Sequence, residues 1–287
     1  MLCMSWTSCK QEIPSEGTPD YTVQYLEIDG VDPTLLSLDI YIPQQPDVLP
    51  APVVVWIHGG GWHTGDKANR MAYKEALFDS LGYVLVSINY RLSQEGMDYN
   101  DSLHVHYPIH NQDVATAVSW IFIHIEEYGG NPQKIVLMGH SAGAHLVALT
   151  ATDTSLLGTT GYAPSWLRGV ASFDTEGYDV YATQTYSPND IYNGAFGNNP
   201  DIWKQASPIY HTSHGQPIPP FLMCERGSTL RKNILHRFAD SLLLKGTPVT
   251  IIDANALSHE EVNTYIGKTG DSFITPGLIQ FLANCFE

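Results

Sequence analysis

Short apolar runs recur along the chain, and most are followed by a longer stretch with apolar residues at helical spacing. Val53–Ile57, Tyr83–Ile88, Lys134–Met138, Gly169–Phe173, Pro220–Cys224 and Pro248–Ile252 read as strands. Runs such as Val53-Val-Val-Trp-Ile57 are continuously apolar, as expected of strands covered on both faces. Helices are predicted over Lys67–Leu81, Pro108–Tyr128, Ala144–Thr150, Leu230–Lys245 and Asp271–Phe286. Upstream, Tyr21–Ile28 and Leu35–Ile42 alternate apolar and polar residues, which predicts an antiparallel hairpin at a sheet edge. Residues 93–106 read as an irregular polar loop.

Strands that alternate with helices predict a mostly parallel central sheet with helices on both faces. Residues 175–218 are rich in tyrosine and punctuated by proline, with short helical pieces at 189–196 and 200–206. They read as a cap-like excursion over the sheet. The expected organisation is a flexible N-terminal tail, residues 1–20, and a single α/β domain, residues 21–287.

Charge narrows the partners. Fourteen Lys and Arg stand against 30 Asp and Glu, a formal net charge of −16. That balance speaks against nucleic acid and anionic membranes, and suits a neutral or apolar small molecule. Cys3, Cys9, Cys224 and Cys285 show no C-x-x-C spacing, so neither a zinc site nor a redox pair is indicated. No stretch is long enough to span a bilayer. Met1 to Cys9 has the shape of an apolar leader ending at a lipidated cysteine, yet Trp6 and the missing basic start fit that shape poorly. Two locations stay open: the cytoplasm, or a bacterial cell envelope if Cys9 carries lipid. Nothing in the pattern fixes an oligomeric state.

The chemistry centres on Gly139-His140-Ser141-Ala142-Gly143, between a predicted strand and a predicted helix. In that context G-x-S-x-G forms a tight turn that exposes the serine hydroxyl above a helix N-terminus. Ser141 is the candidate nucleophile. A serine hydroxyl needs a base, and histidine suits the task near neutral pH. His259 follows the last predicted strand, where the base of such a fold belongs. An attacked carbonyl becomes an oxyanion and needs N–H donors set in advance. His58-Gly59-Gly60-Gly61 ends an earlier strand, so the N–H groups of Gly60, Gly61 and Ala142 are the candidate donors. Trp62 follows and is a candidate wall of a substrate pocket. No cofactor or metal is called for; His104, His106 and His110 lie in or beside a loop without carboxylates at metal-ligand positions.

His58-Gly-Gly-Gly-Trp62, Asn89-Tyr-Arg-Leu92 and Gly139-His-Ser-Ala-Gly-Ala-His-Leu146 resemble the α/β-hydrolase fold. They are similar to the hormone-sensitive-lipase-like carboxylesterases and to their feruloyl esterase and kynurenine formamidase relatives. The resemblance is good over about residues 34–153 and loose over the last third. It implies a serine carboxylic-ester hydrolase acting through an acyl-enzyme on short acyl or aryl esters. An arylformamidase-type amide hydrolase and an inactive binding protein on the same fold are the alternatives.

The acid departs from that pattern. These families place an Asp shortly after the strand that ends here at Cys224, but Glu225-Arg-Gly-Ser-Thr-Leu-Arg-Lys-Asn233 contains none. Asp174, at the end of the preceding strand, is the favoured substitute. Glu225, Glu176 and a serine–histidine dyad without an acid remain open. Tyr178, Tyr181, Tyr186, Tyr192, Phe196 and Trp203 in the excursion are either an aromatic lid or ordinary packing.

Overall fold

A computed structural model describes residues 17–94, 96, 99–213 and 217–287. Residues 1–16 of the expected tail, with Cys3 and Cys9, lie outside the described residues. The strands are β1 (Tyr21–Gln24), β2 (Ser37–Tyr41), β3 (Ala51–Ile57), β4 (Val84–Ile88), β5 (Gly130–His140), β6 (Gly169–Phe173), β7 (Phe221–Glu225) and β8 (Val249–Asp253). They form one sheet in the order β1-β2-β4-β3-β5-β6-β7-β8. β1 and β2 pair antiparallel at one edge, β2 runs antiparallel to β4, and the rest are parallel. The sequence expectation of a mostly parallel sheet with an edge hairpin describes this arrangement.

The longer helices are α1 (Ala72–Ser80), α2 (Ile109–His124), α3 (Ala142–Thr152), α8 (Thr229–Leu243) and α10 (Thr275–Phe286). Alternation along the central strands explains how they are held. Val53, Val55 and Ile57 of β3 pack with Val114, Val118 and Ile121 of α2, Leu146 of α3 and Phe238 of α8. Val54 and Trp56 pack with Leu77 and Phe78 of α1 and Leu278 and Leu282 of α10 on the other face. Each face of a fully apolar strand is thus removed from water, which supplies most of the driving force for folding.

Three local outcomes differ from the sequence expectation. Helix α1 begins at Ala72 rather than Lys67, because Arg70 has φ 59°, a left-handed conformation that no α-helix accepts. Lys67 instead pairs with buried Asp39 at 2.8 Å. Residues expected as loop carry α4 (Thr154–Gly158) and α9 (His259–Thr264), and the excursion carries a further helix, α5 (Val180–Tyr186), ahead of its two expected pieces. The excursion holds α5, α6 (Asp190–Phe196) and α7 (Pro200–Gln205). Its aromatic residues divide. Tyr178, Tyr192 and Phe196 are buried, whereas Tyr186 is exposed.

Candidate active site

Parallel pairing sets the ends of β5, β6, β7 and β8 in a row, and the residues after those ends meet. Register pairs His140 of β5 with Phe173 of β6. The next residues along each strand are Ser141 and Asp174. The Ser141 N–H donates to the Phe173 carbonyl at 2.9 Å, so the elbow is tied to the strand that carries the acid. Ser141 has φ 57° and ψ −118°, outside the regions open to ordinary L-residues. The strain is held by close packing: a Cβ on Gly143 would lie 2.1 Å from the Ile57 carbonyl oxygen, and one on Gly139 2.5 Å from the Gly143 backbone.

His259 is the first residue of α9. Ser258 caps that helix, with Ser258 and Glu261 bonded to each other's backbone in a capping box. His259 Nε2 lies 2.9 Å from Ser141 Oγ, and Nδ1 lies 2.6 Å from Asp174 Oδ2. Its own carbonyl accepts a bond from His140 Nε2 at 2.9 Å, and the two rings are 4.5 Å apart. His140 is buried; burial and then the neighbouring His259 push its imidazole down to about 3, so it stands as a neutral donor.

Of the four solutions open for the acid, the structure brings Asp174 to His259. Its side chain is 1 % exposed. Arg226 Nε donates to Oδ2 and Arg231 Nη2 to Oδ1, each at 2.6 Å. Burial alone would raise this carboxyl. The His259 bond, the Arg231 and His259 charges and the Arg226 bond outweigh burial and hold it well below the usual carboxylate range. Glu225 and Glu176 are elsewhere engaged. Glu225 bonds His236 and lies 3.8 Å from Lys232, and Glu176 bonds Arg231.

The stretch where an acid was expected therefore holds the two arginines that grip a relocated one. Their presence in Glu225-Arg-Gly-Ser-Thr-Leu-Arg was a usable signal that reading for acids alone passes over. The bond from His140 to His259 joins positions 119 residues apart and has no signature in the sequence.

Gly60 and Gly61 have φ 108° and 60°; a Cβ on Gly60 would strike the Thr64 carbonyl at 2.0 Å. Only glycine permits this turn. Ala142 is the first residue of α3, so its N–H has no partner within the helix. All three line one cleft with Ser141 and His259, of about 830 Å³, within the range of small-molecule sites. For Trp62, a candidate wall of the pocket, the structure shows the surroundings. It lines the cleft, yet it is 2 % exposed, with its indole held edge-on by His145, Tyr192 and Phe196. It is a packed wall backed by the excursion.

Among the described residues, the group of three side chains with metal-ligand atoms in mutual range is His140, Asp174 and His259. Both Asp174 oxygens there already accept from arginine. His104 and His110 serve structure, bonding the Gly194 carbonyl at 2.8 Å and Ser93 Oγ at 3.0 Å. No described helix is long and apolar enough to cross a membrane.

Strand order, elbow and helix placement give this protein the α/β-hydrolase fold. Residues 38–228 match the BD-FAE family, well over half of the chain, and the chain belongs to that family.

Esterase LipQ of Mycobacterium tuberculosis is 30% identical over 202 residues, covering 65% of this chain and 44% of LipQ. Rabbit (Oryctolagus cuniculus) arylacetamide deacetylase is 31% identical over 147 residues, 49% of this chain and 33% of the deacetylase. The chain spans under half the length of these relatives. Among solved structures, apo esterase 2 of Thermogutta terrifontis has a TM-score of 0.67 at 23% identity, covering 95% of this chain and 92% of that one. A truncated carbohydrate esterase from gut microbiota has a TM-score of 0.72 at 19% identity, covering 96% and 100%.

Proposed function

We propose that the protein hydrolyses carboxylic esters of short acyl or aryl type through an acyl-enzyme on Ser141. The observation that carries this is the unbroken path Ser141 Oγ, His259 Nε2, His259 Nδ1, Asp174 Oδ2, with steps of 2.9 and 2.6 Å outside the ring. His259 takes the Ser141 proton as Oγ attacks the ester carbonyl. The tetrahedral oxyanion accepts hydrogen bonds from the N–H groups of Gly60, Gly61 and Ala142. His259 then returns the proton to the departing alcohol, and the acyl group stays on Ser141. A water molecule, activated by the same imidazole, attacks the acyl carbonyl and releases the acid. Asp174 keeps Nδ1 protonated, with Nε2 facing the serine, and stabilises the imidazolium. No metal or cofactor is needed for this cycle.

The cleft suits a small ester with a polar portion. Tyr192 and the buried Trp62 form one side, and His63, Asn69, Asn189 and Asn263 also line it. The same nucleophile serves an aryl amide, and the similarity to an arylacetamide deacetylase favours including amides in a substrate panel. An inactive binding protein is the alternative that a missing acid would favour; Asp174 on His259 Nδ1 takes that support away.

Initial rates on p-nitrophenyl acetate, with the parent chain and Ser141→Ala side by side, test the proposal. Activity in the parent that vanishes in the variant is expected. Equal rates in both would overturn it.

A further inference from the structure

Lys74, on α1, is 1 % exposed. Its polar partners are carbonyl oxygens. Nζ donates to Asn263 Oδ1 at 2.7 Å, to the Arg70 carbonyl at 3.1 Å and to the Asn263 carbonyl at 3.3 Å. The Trp56 ring covers it, with its centroid 4.4 Å away. Among the described residues it forms no ion pair with a carboxylate. An ammonium has three N–H donors, and here it meets three acceptors and a π-face. Burial, and then the Arg70 charge, push this ammonium down to about 7. An apolar side chain of the same volume would cover Trp56 without that cost.

The bonds from Lys74 run to the helix that carries the base. Asn263 is on α9, one helical turn after His259. Helix α9 has six residues, too few to hold its shape without outside contacts. Its first residue must nonetheless keep two bonds at once, to Ser141 and Asp174. On the exposed side Arg70 pairs with Glu260, a contact open to water. On the buried side Lys74 holds Asn263 by side chain and backbone together.

We propose that Lys74 is a positioning residue for His259: through Asn263 it fixes α9 so that the imidazole reaches Ser141 and Asp174 together. The inference rests on the serine-hydrolase reading above. Lys74 touches neither substrate nor reacting atoms; it acts through α9. The catalytic cycle proposed above uses no cation at that point, whereas a base helix of six residues requires an anchor.

Lys74→Met tests it, since Met has nearly the same volume. Active sites are first titrated with paraoxon, so that kcat is counted per competent serine. Displacing a catalytic group by about 1 Å costs up to about 100-fold. We therefore expect kcat on p-nitrophenyl acetate to fall at least about tenfold, with KM within about twofold. Melting temperature should stay level or rise, because a buried charge has been removed. A merely structural lysine would lower the titratable fraction and the melting temperature and leave kcat per site unchanged. A kcat per site within about twofold of the parent therefore overturns the proposal.

If Lys74→Met does not fold, Asn263→Ala breaks the same bond from its half-buried partner. Its melting temperature should fall, because the ammonium stays buried. Because Asn263 also lines the cleft, the decision rests on kcat per titrated site with KM within about twofold, a kcat within about twofold of the parent overturning the proposal. Ser141→Ala runs in the same assay. Activity retained there defeats the serine-hydrolase reading, whereas activity lost there and kept per site in Lys74→Met defeats only the role of Lys74.

Discussion

Arg231 Nη2 lies 2.6 Å from Asp174 Oδ1, although the two residues are 57 apart in the chain. Asp174 follows β6 and Arg231 sits in the first turn of α8, after β7, so parallel pairing of β6 and β7 brings them together. With Arg226 on the other oxygen, the carboxylate is fixed on both edges and offers His259 a bond of one direction only. A base oriented in this way needs no acid after β7.

Asp174→Asn should lower kcat by about 10⁴-fold, because an amide can stabilise the wrong imidazole tautomer. Glu225→Gln and Glu176→Gln should stay within about tenfold of the parent, since neither carboxylate bonds His259. Steady-state rates on one ester decide it. A collapse in Glu225→Gln with Asp174→Asn near full rate would assign the acid to Glu225.

Arg231→Met removes one grip on a buried carboxylate and frees Glu176 at the same time. Loss of one partner from such a cluster costs about 3 kcal/mol. The urea midpoint should fall accordingly, and kcat should fall with it as Asp174 gains freedom. A midpoint equal to that of the parent would show that Arg226 alone suffices.

Gly143→Ala places a methyl group 2.1 Å from the Ile57 carbonyl oxygen and 2.6 Å from that of His58, both fixed in backbone. Overpacking against backbone should cost about 3 kcal/mol or abolish folding. Gly158→Ala is the control, with open space at its Cβ position, and should change stability by less than about 1 kcal/mol. Equal denaturation midpoints for the two variants would contradict the tight elbow.

Three buried histidines set an acid limit on stability. Burial, with His145 beside it, pushes His110 down to about 3. Burial, with His259 beside it, does the same for His140, and burial takes His145 to about 4. In the unfolded chain each titrates near about 6.5. Between those limits the unfolded state binds protons that the native state refuses, so stability is full above about 6.5 and falls as pH falls. The slope reaches at most about 4 kcal/mol per pH unit if all three contribute. Urea unfolding at pH 7 and pH 5 measures it. An unchanged free energy between those values would mean that the three rings take up protons in the native state as readily as in the unfolded chain.

Much of this was open to a reader of the sequence because it lies in local patterns. Continuous apolar runs identify buried strands, and the Gly139–Gly143 elbow and the His58–Gly61 turn are each written in consecutive residues, although the Ile57 and Phe173 carbonyls that hold the elbow are distant in the chain. The candidate site was harder where it depends on strand order. Asp174 could be favoured but not separated from Glu225, because the choice rests on which strand lies beside β5. The arginine clamp joins positions 52 and 57 residues apart, and Lys74 meets Asn263 across 189 residues. The first shows only as two arginines in the stretch where an acid was expected, and the second leaves no mark in local spacing. Helix α9 was missed because six residues with a single buried apolar side chain, Val262, make no periodic signal. Its Ser258–Glu261 capping box was the available clue.

The proposed cycle passes through a covalent acyl group on Ser141, and trapping that group is the most direct test. The protein would be mixed with a slowly deacylating aryl ester, quenched in acid and digested, and the modified peptide sequenced by mass spectrometry. The acyl mass should sit on Ser141 in the peptide spanning the elbow, and should be absent from Ser141→Ala. Turnover of the ester with no acyl group on Ser141, or an acyl group on another residue that persists in Ser141→Ala, would contradict the proposed mechanism.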